Sequence, residues 1–190
     1  SIGAQREVVQ LFSYELPLLV SIFTIVLSVQ PFSLRIEDIV SWQLAHGPFC
    51  FKISGLLAFI VAFFATQAKL TLAPFDIPDA KTEIVAGPYT EYSGAALMLF
   101  KLSQSIGMFI LSWFLSTIFL GGLIVDFTNG MTIVLTSIMS VLKLLGVLVL
   151  FSLVRSINPR ARIDQGLRFF LLPLTAMASI GFLLAYYFRM

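Results

Sequence analysis

The sequence contains little charge, one cysteine and one histidine. Of its 190 residues, 12% are charged and 58% are hydrophobic, whereas soluble domains average about 25% charged and about 45–50% apolar residues. A soluble fold could not cover so much apolar surface, which excludes a cytosolic globular enzyme and a disordered chain. Cys50 alone cannot form an internal disulfide, which excludes a secreted disulfide scaffold. These deficits place the chain in a membrane.

The same scarcity excludes several kinds of site. Cys50 and His46 are too few to supply the ligands of a zinc or iron–sulfur site, so we expect no cofactor bound within this chain. A net charge of +2 does not indicate the basic surface that a nucleic-acid-binding protein needs. The sequence also lacks a P-loop, a GxGxxG, an HExxH, a CxxC and a Ser/His/Asp set. A self-contained enzyme is therefore disfavoured, and redox chemistry must lie on another chain.

Five apolar stretches approach the roughly 20 residues that cross a bilayer as a helix. They are too apolar all round for surface helices, and none alternates as a barrel strand does. The sequence therefore predicts an all-α, polytopic transmembrane bundle that forms one domain over residues 1–190. The predicted spans are about 8–29, 53–72, 94–120, 131–154 and 169–188.

The placement of lysine and arginine orients these spans. Among the lysines and arginines outside the spans or near their ends, seven fall on one side and three on the other. We expect the chain in the plasma membrane. By the positive-inside rule, its N-terminal end and the loops 73–93 and 155–168 are expected to face the cytoplasm. The chain starts at Ser1 without a recognisable signal peptide, so we expect a piece of a longer or split polypeptide. No internal repeat is visible, which disfavours a stand-alone transporter.

Three charged residues fall inside predicted spans and away from the C-terminal ends of those spans, and a charged residue costs at least about 2.5–3.5 kcal/mol near mid-helix. Glu15 and Lys101 lie at similar depth, and we expect them to share a water-filled cavity. Lys143 lies at the middle of the fourth span, where its ammonium group is hardest to extend to water. These residues are candidates for a proton or ion path. In the alternative interpretation, each pairs with a neighbour and only fixes helix packing.

The loop 73–93 is acidic, although cytoplasmic loops are usually basic. Asp76 precedes Pro78, a sequence that predicts the start of a short helix running to residue 86. Asp79 and Glu83 would then share one face, and their like charges require compensation from outside the helix. We expect that compensation from arginines of the other cytoplasmic loop, namely Arg160, Arg162 and Arg168. The alternative is a solvated acidic loop.

Three stretches carry a family resemblance. APFDIPDAKTEIVAGPYTEYSG resembles the signature loop of the quinone-pocket membrane subunit of respiratory complex I, NADH dehydrogenase subunit 1. IGAQREVVQLFSYE resembles the arginine-containing approach to a span with a Tyr-Glu pair, and NPRARIDQ resembles the loop before the last span. The order and spacing of all three agree, so the resemblance covers essentially the whole chain. Within the family, DIPDAKTEIVAGPY is more similar to the subunit of membrane-bound [NiFe] hydrogenases and their sulfur-reducing relatives.

The resemblance implies a subunit with eight spans, of which the five here correspond to the fourth through eighth. It implies that an ion path uses Glu15, Asp79, Glu83 and Glu91. At position 104, where the family often has a glutamate, this chain has Gln104, and Lys101 is the expected electrostatic substitute. The remaining charged residues of the two loops are expected to contact a peripheral arm: Asp76, Arg155, Arg160, Arg162, Asp164 and Arg168.

The expected function is that of a non-catalytic membrane subunit in a complex-I-related assembly, with a membrane-bound [NiFe] hydrogenase as the preferred type. The resemblance implies partners that carry the [NiFe] centre and the iron–sulfur clusters. These are hydrogenase-like large and small subunits, an iron–sulfur subunit and antiporter-like membrane subunits. Four alternatives stay open, namely the quinone-site subunit of NADH dehydrogenase, a sulfur-reducing relative, a purely structural anchor and a stand-alone secondary transporter. The sequence does not indicate whether the transported ion is a proton or a sodium ion.

Overall fold

The structure is a computed structural model that describes residues 2–77, 92–122 and 130–189. Every regular element within these ranges is helical, which confirms the predicted all-α class. A 3₁₀ turn covers Phe49–Phe51, and a π turn at Phe170–Leu174 joins the last two helices. The helices are α1 (Ile2–Ser28), α2 (Ile36–His46), α3 (Ile53–Lys69), α4 (Ala95–Phe119), α5 (Gly130–Ile157), α6 (Ile163–Phe169) and α7 (Thr175–Arg189).

Four helical segments among the described residues are long and apolar enough to cross a membrane: Gln5–Ser28, Ala95–Phe119, Ile133–Ile157 and Ile163–Phe188. The predicted span 53–72 is shorter than expected, because α3 ends at Lys69 after 17 residues. At 1.5 Å per residue this is about 26 Å, just below the roughly 30 Å of a hydrocarbon core. The helix ends in a turn at Thr71, whose φ of 49° is left-handed.

The helices that contain the last two predicted spans extend beyond them. α5 continues to Ile157, and the next helical segment begins at Ile163, so the loop expected over 155–168 shrinks to 158–162. Hydropathy finds the apolar part of a helix, whereas polar turns such as the one around Asp164 extend the same helix beyond it. Pro173 lies within the π turn, where the missing N–H group of proline is accommodated by a locally wider helix.

An additional helix, α2, lies between α1 and α3 and was not predicted. Its sequence, IEDIVSWQLAH, is too short and too polar to cross a membrane. Glu37 and Asp38 occupy the first turn, where negative charge favours the positive end of the helix dipole. Ile39 and Gln43, one helical turn apart, are its buried residues.

The core forms where α1, α3 and α7 pack together. α3 contributes small buried residues, among them Ala58, Ala62 and Ala65, which let neighbouring helices approach closely. Aromatic rings fill the rest, with Phe63 stacked on Phe151 at a centroid distance of 4.6 Å. α5 packs mainly on α4, which also contacts α2 and α3. Both helices are largely exposed, so lipid or other protein must cover their apolar faces.

Candidate functional site

The segment 70–77, which leads into the signature loop, is held by glutamines from three helices. Gln10 of α1 donates from Nε2 to the carbonyl oxygens of Ala68 (3.1 Å) and Phe75 (2.8 Å). Gln67 of α3 donates to the carbonyl oxygen of Ala73 at 2.7 Å. Backbone carbonyls of a segment without regular structure thus obtain donors inside the protein, where unpaired polar groups are costly.

Gln104 of α4 supplies the third attachment. Its Nε2 donates to the carbonyl oxygen of Leu70 at 2.8 Å and to Thr71 Oγ1 at 3.2 Å. An ionised glutamate has no donor and could not form the bond to Leu70. Gln104 therefore serves as a hydrogen-bond donor that ties α4 to the segment 70–77.

The segment 70–77 also contacts the connection between α5 and α6. The backbone N–H of Ala161 donates to the carbonyl oxygen of Pro74 at 2.9 Å. Arg160 Nη2 donates to the carbonyl oxygen of Asp76 at 2.7 Å, and Arg160 Nε lies 3.1 Å from Asp76 Oδ1. The structure thus joins the segments 70–77 and 158–162, which we call the loop junction.

A cavity of about 150 Å³ lies at the loop junction. Three arginine side chains and one carboxylate give it a net positive lining, with Ile77 at its wall. Arg6 reaches the cavity from the first turns of α1, which places the N-terminal end of the chain at the same end of the bundle. The lining residues are Arg6, Ile77, Arg160, Ala161, Arg162, Ile163 and Asp164.

The three described residues predicted for an ion path, Glu15, Lys101 and Lys143, lie on three different helices, α1, α4 and α5. Glu15 is exposed on α1, and its neighbour Tyr14 is buried with its ring centroid 6.5 Å from that of Phe170. Lys101 is exposed near the start of α4. No salt bridge joins Glu15 to Lys101 in the described part of the chain, so the structure does not bring the two side chains together as an ion pair.

Lys143 is half-buried on α5 and lies close to the end of α4. Its Nζ atom is 3.8 Å from the position that a Cβ atom on Gly121 would occupy. Gln43 of α2 reaches the same place, with its Oε1 atom 3.9 Å from that position. Lys143 Nζ and the amide of Gln43 thus both lie beside Gly121.

The other predicted residues divide into two groups. Arg155, Arg162, Asp164 and Arg168 are exposed around the loop junction, where a partner chain could reach them. Asp79, Glu83 and Glu91 lie outside the described residues, as does the helix expected up to residue 86. The described ranges hold no cluster of three or more His, Cys, Asp or Glu side chains that could bind a metal ion.

Sequence reasoning did not identify Gln10, Gln43 and Gln67. All three are buried, with 3%, 3% and 0% of their surface exposed. Buried amides in apolar helices must be hydrogen-bonded, and this requirement was the signal that could have found them. Gln10 even lies within the stretch that carries the family resemblance.

Comparisons with known proteins agree with this architecture. A family model described as NADH dehydrogenase matches residues 1–186. The chain belongs to the NADH dehydrogenase family. Its relatives include an NADH-quinone oxidoreductase subunit of Carboxydothermus hydrogenoformans, 35% identical over 92% of this chain and 49% of the relative. The corresponding NADH-quinone oxidoreductase subunit of Phocaeicola vulgatus is 37% identical over 86% of this chain and 48% of the relative.

A solved structure is also similar. A chain of the membrane-bound sulfane sulfur reductase, an archaeal respiratory membrane complex, superposes with a TM-score of 0.84 at 32% sequence identity. The similarity covers 97% of this chain and 59% of that chain. This chain spans about half the length of the curated relatives it matches. Its helices and its relatives make it a multi-pass membrane protein of the NADH dehydrogenase family.

Proposed function

We propose that the chain is the membrane subunit that couples a peripheral redox arm to ion translocation in an assembly of the membrane-bound [NiFe] hydrogenase type. The chain itself carries no redox centre in this proposal. Partner subunits hold the [NiFe] centre and the iron–sulfur clusters, and antiporter-like membrane subunits complete the ion path. The assembly resides in the cell membrane, with the loop junction on the cytoplasmic side.

The bonded loop junction is the observation that supports this proposal most. An anchor for a peripheral arm needs a rigid surface at the membrane boundary, because flexible loops would lose entropy on docking. Arg160 and Ala161 fix the segment 70–77 from one side, and glutamines of three helices fix it from within. The exposed charges of Arg162, Asp164 and Arg168 surround it and suit a polar interface.

Coupling in this proposal is electrostatic. A change of charge in the arm acts on the carboxylates of the signature loop, namely Asp79, Glu83 and Glu91. The three bonded glutamines connect that loop to α1, α3 and α4, and therefore to the helices that carry Glu15 and Lys101. Lys143 continues the path toward neighbouring membrane subunits. In this proposal the coupling passes through these hydrogen bonds and the packed helices that they join.

The choice of the hydrogenase type rests on the DIPDAKTEIVAGPY stretch and on Gln104. A glutamine at this position cannot carry a proton, so the acidic chain typical of the respiratory enzyme is interrupted here. Two alternatives have support of their own. The curated relatives are named NADH-quinone oxidoreductase subunits, which favours a quinone site, and the similar solved structure is a sulfane sulfur reductase, which favours a sulfur-reducing complex.

The test is to purify the native complex through this subunit in mild detergent and to measure its metals and cofactors. Nickel with abundant iron and no flavin supports the hydrogenase type. Flavin and bound quinone without nickel move the chain to the respiratory enzyme, and iron with neither nickel nor quinone moves it to the sulfur-reducing complexes. Recovery of the subunit without partners contradicts the assembly altogether.

A further inference from the structure

The end of α4 contains a small polar site that neither the loop junction nor the family resemblance involves. α4 ends at Phe119, and Gly121 and Gly122 follow with φ values of 87° and 70°. These left-handed conformations suit glycine, and the missing side chain at Gly121 leaves a gap. Lys143 Nζ and Gln43 Oε1 lie 3.8 and 3.9 Å from the Cβ position in that gap.

The amide of Gln43 is oriented by α4. Its Nε2 donates to the carbonyl oxygens of Ile118 (2.9 Å) and Thr117 (3.3 Å), which belong to the last turn of the helix. Gln43 is only 3% exposed, and its Oε1 is buried without a hydrogen-bond partner among the described residues. A buried acceptor left unpaired costs about 1–3 kcal/mol, so this oxygen requires a donor.

The surroundings suit a cation. The carboxyl end of a helix carries partial negative charge from its last carbonyl groups, which favours lysine there. An ammonium group has three donors and no acceptor, and its hydrogen bonds to neutral acceptors are among the stronger ones. A hydrogen bond between them would give Gln43 the donor that it lacks and would give a lysine within an apolar helix the acceptor that it needs.

We propose that Gln43 is a positioning residue for Lys143. Its Oε1 accepts a hydrogen bond from the ammonium group, directly or through one bound water, and holds the charge at the carboxyl end of α4. Because Gln43 belongs to α2, the position of α2 determines where the ammonium group of Lys143 on α5 is held. The pairing is a local property, and only its relevance to ion translocation rests on the proposed function.

Chemical modification of Lys143 in the purified native complex tests the pairing. Small amounts of acetic anhydride acylate neutral amines, and peptide mass spectrometry then gives the fraction modified at Lys143 at a fixed, mildly alkaline pH. Gln43→Leu removes the acceptor and should raise this fraction about tenfold, the equivalent of one charge-assisted hydrogen bond. Gln43→Glu keeps an acceptor and adds charge, so modification should fall below that of the unmodified sequence.

These two variants separate positioning from capping. Both lose the Nε2 bonds to Thr117 and Ile118, so a role limited to capping α4 predicts equal effects. Thr117→Val is the matched control, because the Thr117 hydroxyl donates to Trp113 O on its own helix at 2.9 Å. It should leave Lys143 modification unchanged. Equal modification of Lys143 in all of these proteins, including none at all, overturns the proposal.

Ion translocation by the same variants distinguishes this proposal from the proposed function. With the pairing and the ion path both right, Gln43→Leu slows translocation and shifts its pH profile, whereas Gln43→Glu restores part of the rate. If Lys143→Met leaves translocation intact while Gln43→Leu still raises the modification of Lys143, the pairing stands and the role of Lys143 in ion transport fails. If Lys143→Met abolishes translocation while Gln43→Leu leaves the modification of Lys143 unchanged, the role of Lys143 in ion transport stands and the pairing fails.

Discussion

Arg160 holds Asp76 at two different points. Its Nη2 donates to the backbone carbonyl of Asp76 at 2.7 Å, while its Nε faces the carboxylate oxygen Oδ1 at 3.1 Å. The side chains of Arg160 and Asp76 are 29% and 31% exposed, so solvent screens the charge interaction on both sides. The bond to the carbonyl does not depend on the aspartate side chain, and it should dominate the stability of the loop junction.

The first prediction separates these two contributions. Asp76→Asn removes only the ion pair and should lower the free energy of unfolding by at most about 1 kcal/mol. Arg160→Met also removes the donor to the carbonyl and should cost about 1–3 kcal/mol. Unfolding of the purified complex by heat or denaturant, followed for both single variants and the double variant, gives the coupling energy. Equal losses from the two single variants would show that the carboxylate provides the main attachment.

A second prediction concerns Gln104, which donates to the carbonyl oxygen of Leu70. Gln104→Met removes the donor and should destabilise the protein by about 1 kcal/mol. Gln104→Glu places an ionised carboxylate beside the same carbonyl oxygen at neutral pH, so it should destabilise the protein more than Gln104→Met does. The comparison uses thermal unfolding of the complex at pH 7. Greater stability of Gln104→Glu would contradict the donor role and indicate that an acid is tolerated here.

A third prediction uses two helical glycines. A Cβ atom on Gly55 of α3 would lie 2.1 Å from the backbone oxygen of Phe49, whereas one on Gly146 of α5 would meet nothing within 4 Å. Backbone atoms cannot move aside as a side chain can, so Gly55→Ala should displace the 3₁₀ turn and lower stability by several kcal/mol. Gly146→Ala should be neutral or stabilise by up to about 1 kcal/mol, because alanine favours helix more than glycine. Thermal unfolding of both variants checks the contrast, and similar midpoints would disprove this packing of Phe49 on α3.

A fourth prediction concerns Cys50, the single cysteine, which lies in the turn between α2 and α3. Partial burial raises the pKa of its thiol to about 11. Since the thiolate is the reactive form, alkylation at pH 8 should be about a hundredfold slower in the folded complex than after denaturation. The rate should rise with pH until about pH 11. A rate in the folded complex that levels off near pH 9 would contradict this environment for Cys50.

The sequence predicted the helical segments better than their ends. Long apolar stretches identify spanning helices because lipid leaves few other structures possible. The end of α3 at Lys69 depends on a left-handed turn at Thr71, and the start of α6 at Ile163 lies in a polar stretch. Neither of these helix ends is marked by a pattern of apolar residues. α2 escaped prediction for the same reason, since only its tertiary contacts bury Ile39 and Gln43.

The candidate site was predicted in part. Sequence reasoning expected Arg160 to compensate Asp79 and Glu83, which lie outside the described residues. The structure pairs Arg160 with Asp76, an acidic residue of the same loop. The buried glutamines escaped notice because an amide carries no charge and draws little attention in an apolar helix. Their importance depends on which carbonyl groups lack partners, and that is a property of the folded chain.

Glu15→Gln tests the central claim most directly, namely that this subunit couples electron transfer to ion movement. Glu7→Gln is the matched control, because Glu7 is also exposed and lies two turns earlier on α1. In sealed vesicles that contain the complex, electron transfer and ion translocation are measured together for both variants. We predict that Glu15→Gln retains electron transfer and loses most ion translocation, while Glu7→Gln retains both. Unchanged ion translocation per electron in Glu15→Gln would contradict coupling through this subunit and leave the chain a structural anchor.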